Sequence, residues 1–309
     1  MDFALNADQT AVSDSIERLA REFDSKPSDF AGFFLESSAL EQALENGQYF
    51  DIAAFPETGP ITAALAVERL ARLPFTSEIA LSMLVRPQLD IQLPRPLAVV
   101  ENGRPGRFVA TAKTLIVIEG DAIGIAHPRA EQTESVDSIY AYPMGRVCSD
   151  LEVEALSNEV AEKVRTWIRI ACAAEIAGLM QAAIDATVEH LSIRKQFGRP
   201  LGAFQALRHR MAECAVLVGG VRRLALHAAW SGDPGAAALA AFHAQDSANR
   251  VNYDVHQMSG AMGMTLEMPL HLWSYRIKAL IGELDGRSGQ AQSVARYCFG
   301  VDNHPVGKS

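Results

Sequence analysis

The sequence predicts a mainly helical protein with a small β region in its middle. Apolar residues recur at helical spacing in residues 1–90, strand-like runs separated by turn residues follow, and long helical stretches with short connections fill the second half. Long helices joined by short loops pack as an antiparallel bundle. We therefore expect an N-terminal helical domain at 1–90, a β domain at 91–152 and a C-terminal four-helix bundle at 153–309.

The composition excludes several classes of protein. The chain has 309 residues, of which 49% are hydrophobic and 21% charged, and its net charge is −9. This charge argues against nucleic acid or an anionic membrane as the main partner. No signal peptide and no uninterrupted apolar run of about 18 residues is found. We expect a cytoplasmic protein whose four cysteines, all among apolar neighbours, are buried thiols.

Three helices are predicted in the first domain, at 7–23, 35–47 and 59–73. In the first of them the apolar residues fall on one face, opposite Asp and Arg side chains. In the third, Thr58-Gly59-Pro60 marks the start, and apolar residues again recur at helical spacing.

Strand patterns begin near residue 97. The runs 114–118 and 122–125 face each other across a short turn that contains Gly120, which predicts a β-hairpin. The alternating run 138–142 is a further strand candidate. From about residue 157 the chain turns helical, with helices expected at about 157–193, 203–230 and 235–260 and a shorter one after Pro269.

The loop between the first two long helices carries the clearest functional pattern. Arg194 offers a planar fork that pairs with phosphate, Gln196 and Gln205 add neutral donors, and Phe197 offers a flat face for a ring. Gly198 permits close backbone approach, and the start of the next helix adds free N–H groups. These features predict a site for the phosphates of a dinucleotide, and a solvated basic turn is the alternative. No Rossmann or Walker loop and no metal-ligand spacing is present.

Two segments resemble the acyl-CoA dehydrogenase family. Residues 185–213 are similar to its flavin-contacting segment, and 257–263 resemble its Gln-x-x-Gly-Gly-x-Gly turn. Residues 1–9 also resemble the usual first helix, and the helical, β, helical order agrees with the three-domain fold of the family. The resemblance implies contacts to flavin adenine dinucleotide (FAD) held by a neighbouring subunit, from Arg194, Gln196, Phe197, Gln205, Gln257, Gly260 and Ala261.

The family's chemistry is α,β-dehydrogenation of an acyl-CoA, in which a carboxylate removes the α-proton and the β-hydrogen leaves as hydride to the flavin. Continued from Gly260 without a gap, the family pattern puts Leu284 at the catalytic glutamate. The second base position known in the family falls at Ile168. Since neither side chain can take a proton, the resemblance implies no catalytic base in this chain. Displaced bases could be Glu283, Asp285 and Glu175.

The middle region departs from the family. Family members carry a Thr-Glu-Pro-x-x-Gly-Ser run and a Trp-Ile-Thr run that cradle the flavin ring. Neither run is present in residues 90–150 of this chain, and its β domain is about half the length usual in the family. Arg169 and Arg296 fall where the family has arginines near the active-site loop and the substrate, although ordinary ion pairs would explain them equally well.

Three functional hypotheses follow. The first is a degenerate subunit of a heteromeric, steroid-degradation type acyl-CoA dehydrogenase. It would form a heterotetramer with a full-length catalytic subunit, act on a bulky acyl-CoA and pass electrons to an electron-transfer flavoprotein or similar acceptor. The second is a self-sufficient homo-oligomeric enzyme with a displaced base, and the third is a flavin-free scaffold bundle.

Overall fold

The N-terminal part of the chain consists of helices. The computed structural model describes residues 4–25 and 32–300. Its first helices are α1 (Ala7–Glu22), α2 (Ser38–Asn46), α3 (Gly59–Ala71) and the short α4 (Ala80–Leu84). They confirm the three helices expected here. The capping box of Asn6 and Gln9, with N···O distances of 2.8 and 3.0 Å, starts α1, whereas residues 1–3 lie outside the described part.

The middle of the chain forms two small sheets. The strands are β1 (Leu97–Glu101), β2 (Gly106–Arg107), β3 (Thr114–Glu119), β4 (Ala122–Ala126), β5 (Thr133–Ser135), β6 (Met144–Val147) and β7 (Glu154–Ala155). One sheet has the order β1-β3-β4-β7, with β1 parallel to β3, and the other has the order β2-β6-β5. The predicted hairpin is confirmed, since Glu119 pairs with Ala122 and leaves Gly120 in the two-residue turn.

The strand expected at 138–142 is wrong, because this segment is a series of bends. The Ser138 hydroxyl accepts a hydrogen bond from the backbone N–H of Tyr140 at 3.0 Å, a local contact that competes with strand pairing. Tyr142 turns inward, and its hydroxyl donates to Glu175 at 2.7 Å. Ile139 and Tyr140 are exposed, whereas Ala141 and Tyr142 are both buried, so burial does not alternate along this segment.

The second half of the chain is a helical bundle. Its helices are α5 (Asn158–Ile193), α6 (Gln205–Ser231), α7 (Pro234–Ser259), α8 (His271–Ile281) and α9 (Gly286–Phe299). The three long helices and the shorter one after Pro269 are as expected. The fifth helix, α9, was not predicted, because Gln290 is its one buried residue and it therefore lacks an apolar stripe.

One buried apolar cluster joins the N-terminal helices to the bundle, for example through Ile16, Val67 and Ile176. A smaller cluster, which includes Phe108 and Tyr142, fills the space around the strands. The division into domains at residues 90 and 152 remains a prediction.

Helix α5 is long and apolar enough to cross a membrane by length and composition. The sequence analysis sought an uninterrupted apolar run and therefore did not single it out. In the structure, 94% of its most apolar window is buried by the rest of the protein, so α5 is the core helix of the bundle.

The expectation of four buried thiols is half right. Cys172 and Cys214 are buried, whereas Cys148 and Cys298 are exposed. Cys148 directly follows the strand β6, and Cys298 lies in the last turn of α9, where the chain faces solvent.

Helices α3 and α5 cross closely at Gly178. A Cβ atom at this position would lie 2.1 Å from the backbone oxygen of Glu68 and 2.9 Å from the Cβ of Ala71, so α3 would have to move. We expect Gly178→Ala to lower the free energy of unfolding by about 1–3 kcal/mol through overpacking, as measured by urea denaturation.

The matched control is Gly219→Ala in α6. Its Cβ would meet only the end of the flexible Arg223 side chain, so the better helix propensity of alanine, up to about 1 kcal/mol, should stabilise the protein. Equal effects of the two substitutions would contradict close packing at Gly178.

Candidate functional site

The basic loop after α5 is a tight hairpin. Lys195–Gln196 (β8) pairs with Arg199–Pro200 (β9), and the two residues between them, Phe197 and Gly198, have φ angles of 54° and 78°. Two consecutive positive φ angles are typical of a two-residue hairpin turn, and a glycine at the second favours it. The loop therefore has a defined shape.

The side chains of this loop face solvent. Arg194, Gln196 and Gln205 are exposed, and none of these side chains has a hydrogen-bond partner within residues 4–25 and 32–300. Phe197 is 86% exposed and makes an edge-to-face contact with Phe204, with ring centroids 6.1 Å apart. An arginine, two amides and an aromatic ring are therefore available to a partner molecule.

A second exposed turn follows α7. Gly260 has φ 57° and ψ −145°, a conformation that only glycine adopts readily, and it redirects the chain into a short 3-10 segment at Gly260–Met264. Gln257 and Ala261 on either side of it are exposed. The Gln257 side chain has no hydrogen-bond partner in the described part of the chain.

The fold brings the hairpin and this turn to the same end of the bundle. Helices α6 and α7 are packed together and joined only by Gly232 and Asp233, so they run antiparallel. The start of α6 therefore lies beside the end of α7, as the 2.8 Å ion pair between Glu213 and Arg250 shows. We call the hairpin at 194–205 and the turn at 257–261 together the clamp.

The two expected base positions also lie together. Ile168 of α5 and Leu284, between α8 and α9, are both buried and line the same cavity of about 170 Å³. The lining also includes Glu283 and Arg107. The two positions at which the family carries a base are therefore both apolar in this chain and lie close together, although they are 116 positions apart in the sequence.

A buried charge network borders this cavity. The Arg107 guanidinium lies 2.8 Å from Glu175 and 2.6 Å from Glu283, and the second Glu175 oxygen accepts the Tyr142 hydroxyl proton. Two of the displaced-base candidates, Glu175 and Glu283, thus share one arginine. Sequence reasoning missed Arg107 and Tyr142, because neither belongs to a motif.

Burial and charge act against each other in this network. Burial favours a lower pKa for Arg107, but the carboxylates of Glu175 and Glu283 together raise its pKa well above its ordinary value. Burial raises the pKa of Glu283, and Arg107 opposes this rise. Burial and then the Glu175 charge raise the pKa of Tyr142 well above its ordinary value, so this hydroxyl remains a donor at neutral pH.

The loop between α8 and α9 is fixed to the first sheet. Leu284 and Asp285 have positive φ angles of 55° and 60°. Their backbone N–H groups donate to the two carboxylate oxygens of Glu101 at 3.0 and 2.9 Å. The residue at the expected base position is thus held in a strained turn whose amide groups bind a carboxylate of β1.

The two expected substrate arginines line a second, larger cavity of about 540 Å³ between α5, α9 and the hairpin turn at Gly120. Arg169 is buried and donates to the Gln290 amide oxygen at 2.9 Å and to the Ser293 hydroxyl at 2.7 Å. Burial lowers the pKa of Arg169. Arg296 lines the same cavity, and Asp285 reaches it as well.

Within 4–25 and 32–300, no group of three or more His, Cys, Asp or Glu side chains is placed to hold a metal ion.

The architecture is that of the acyl-CoA dehydrogenases. The chain superimposes on a structure described as a steroid ACAD, Tcur3481–Tcur3483, with a TM-score of 0.73 and 18% identity, covering 94% of this chain and 97% of the other. It also superimposes on the ChsE4–ChsE5 complex from Mycobacterium tuberculosis, with a TM-score of 0.72 and 19% identity, covering 98% and 100% of the two chains.

Sequence comparison agrees for the bundle. Residues 159–282 match the family model of the acyl-CoA dehydrogenase C-terminal domain. Acyl-CoA dehydrogenase IpdE2 from Mycobacterium tuberculosis (strain ATCC 25618 / H37Rv) is 36% identical over 107 residues, which are 35% of this chain. The match spans 34% of the length of that relative. Residues 159–282 are thus similar in sequence to the C-terminal domain of the acyl-CoA dehydrogenases, and the whole chain has their fold.

Proposed function

We propose that this chain is the non-catalytic subunit of a cytoplasmic, heteromeric acyl-CoA dehydrogenase. It contributes the clamp to FAD bound by a full-length catalytic subunit, and the two kinds of chain form a heterotetramer. One observation carries this proposal: the polar side chains of the clamp are exposed and have no hydrogen-bond partner within the described residues, namely those of Arg194, Gln196, Gln205 and Gln257. The base positions Ile168 and Leu284, in contrast, are apolar.

The clamp fits the adenine and pyrophosphate part of FAD. Arg194 would pair with phosphate, while Gln196, Gln205 and Gln257 would donate neutral hydrogen bonds. Phe197 offers its ring, and the turn at Gly260-Ala261 offers backbone that a ligand can approach closely. When bound, FAD supplies the hydride acceptor of the dehydrogenation.

Charged side chains close part of the space between the sheets and the bundle of this chain. Arg107 of β2 pairs there with Glu175 and Glu283 of the bundle. Glu101 of β1 holds the backbone of Leu284. The cavity beside these contacts, about 170 Å³, is smaller than the roughly 300–1,000 Å³ of ligand pockets. The larger cavity of about 540 Å³ lies on the other side of Leu284, where Arg169 and Arg296 line it. The catalytic subunit would therefore supply both the ring site and the base.

The described relatives support the heteromeric assembly and the substrate class. One is a complex of two differently named chains, ChsE4 and ChsE5, and another is described as a steroid ACAD. A bulky, steroid-derived acyl-CoA is therefore the substrate we favour. In the complex, Arg169 and Arg296 are the residues of this chain we assign to the substrate side, and an electron-transfer flavoprotein or similar carrier would accept the electrons.

Co-expression with a full-length acyl-CoA dehydrogenase chain encoded nearby tests the proposal. We expect the two chains to purify together, with FAD, and to oxidise an acyl-CoA only when both are present. If this chain alone is yellow and active, the proposal fails. If the pair forms without any flavin absorbance, the flavin-free scaffold hypothesis is favoured instead.

Glu283 favours a second candidate function, the self-sufficient enzyme with a displaced base. Its carboxylate lines the cavity beside Ile168 and Leu284, and burial raises its pKa. Its ion pair with Arg107 at 2.6 Å argues against a free base, and so does its exposed fraction of only 25%.

The substitution Glu283→Gln separates the two candidates. We expect the assembled complex to keep its kcat within about twofold, because the base belongs to the other subunit. A displaced base would instead lose about 100- to 10,000-fold in rate. The melting temperature should be recorded together with kcat, since the substitution also removes one charge from the Arg107 network.

A further inference from the structure

A compact ion cluster ties the two halves of the clamp together. Asp254 of α7 is 1% exposed, and one of its oxygens lies 3.2 Å from Arg210 Nε of α6. The other oxygen accepts from Arg250 Nε at 2.7 Å and from the Cys214 thiol at 3.7 Å. Arg250 also forms an ion pair with Glu213 of α6 at 2.8 Å. Asp254 therefore joins two helices through both of its carboxylate oxygens.

The position of this cluster relates it to the clamp. Arg210 follows Gln205 by five residues of α6, and Gln257 follows Asp254 by three residues of α7. At a rise of 1.5 Å per residue, these spacings are about 8 Å and about 5 Å along the helices. The cluster is thus within two turns of the hairpin on one helix and of the glycine turn on the other.

The contacts of Asp254 depend on the orientation of their partners and so hold α6 and α7 in one relative position. Arg250 donates a charge-assisted hydrogen bond to Asp254, and bonds of this kind are stronger than neutral ones. Arg210 forms an ion pair with the other Asp254 oxygen. Burial, followed by the charge of Asp254, raises the pKa of the Cys214 thiol to about 11, so the thiol keeps the proton that it donates. A one-turn slip or a rotation of either helix would break these contacts.

We infer that Asp254 is a positioning residue for the dinucleotide clamp: it sets the register of α6 against α7, and so the separation between Gln205 and Gln257. The inference rests on the proposed function. Asp254 touches neither the cofactor nor the substrate in this assignment, and it acts through the helices that carry the clamp residues.

The chain offers a matched control for this role. Glu68 of α3 is also a buried carboxylate that accepts from two arginines, Arg72 at 2.6 Å and Arg222 at 2.7 Å. It ties α3 to α6, and Arg222 lies 12 residues beyond Arg210, about 18 Å along the helix. Glu68→Gln therefore removes the same kind of ion bridge at a distance from the clamp.

FAD titration of the assembled complex tests the inference. We expect Asp254→Asn to raise the Kd for FAD about tenfold, Asp254→Glu to recover most of that loss, and Glu68→Gln to leave the Kd within twofold. Arg210→Met breaks the same ion pair from the α6 side, where the side chain is partly exposed. It should therefore raise the Kd for FAD as Asp254→Asn does, and it tests the inference even if Asp254→Asn folds poorly. The melting temperature should fall for Asp254→Asn and Glu68→Gln alike.

Three outcomes would overturn the inference. An unchanged Kd in Asp254→Asn and Arg210→Met excludes a positioning role, and equal losses of affinity in Asp254→Asn and Glu68→Gln show a merely structural one. A wild-type complex that binds no FAD refutes the proposed function, and the inference falls with it. This third outcome is recognised from the wild type alone, before any variant is compared.

A measurement on this chain alone is independent of the partner. We expect amide hydrogen exchange in 194–204 and 257–264 to become about tenfold faster in Asp254→Asn but not in Glu68→Gln, because only the former releases the clamp helices from each other. Unchanged exchange in both segments would contradict the inference.

Discussion

Replacing Arg107 with methionine is expected to lower the free energy of unfolding by about 3–5 kcal/mol. Arg107 is the cation between Glu175 and Glu283, and the Arg107 and Glu175 side chains are only 10% and 4% exposed. Without it, two carboxylates remain close together with little solvent, which is far more costly than losing a surface ion pair. Urea denaturation followed by circular dichroism measures the effect.

The triple variant Arg107→Met, Glu175→Gln, Glu283→Gln is the control. It removes the charges together, so about half of the loss or more should be recovered. Arg129→Ala, which breaks an exposed pair with Glu131 at 2.8 Å, should change stability by less than about 1 kcal/mol. A single variant Arg107→Met as stable as Arg129→Ala would show that the network does not hold the sheet to the bundle.

Local patterns explain which parts of the fold were predictable. Helix α5 and the hairpin of β3 and β4 carry their own periodicity and turn residues, and both were found. Helix α9 lacks an apolar stripe, because its one buried residue is the polar Gln290. The run 138–142 alternates like a strand, but the Tyr142 hydroxyl and the local Ser138 contact determine its conformation.

The site, too, has a part that the sequence could locate and a part that it could not. The clamp residues lie in two short segments, so a resemblance between neighbours in sequence could locate them, and antiparallel packing of α6 and α7 brings the segments together. The Arg107 network could not be found in this way. Its pairs join residues 68 and 176 positions apart in the chain, and each member taken alone is an ordinary charged residue.

Replacing Arg194 with alanine is expected to weaken FAD binding by the complex about 10- to 100-fold. A charge-assisted hydrogen bond contributes about 1.5–3 kcal/mol, and a phosphate can engage both guanidinium nitrogens at once. Since Arg194 is exposed and its side chain has no hydrogen-bond partner within the described part of this chain, its loss should not lower the stability of this subunit. The effect should therefore appear in cofactor affinity and not in the melting temperature.

The control is again Arg129→Ala, which removes the same charge from an exposed position in the connection between β4 and β5. It should leave the Kd for FAD within twofold. A general electrostatic attraction of the anionic cofactor would instead weaken binding in both variants.

The most direct measurement is a flavin-fluorescence titration of the complex reconstituted from the catalytic subunit and this chain, as wild type, Arg194→Ala and Arg129→Ala. If this chain holds the cofactor of its neighbour, only Arg194→Ala raises the Kd for FAD, by about 10- to 100-fold. An unchanged Kd in Arg194→Ala, in a complex that does bind FAD, would contradict the account.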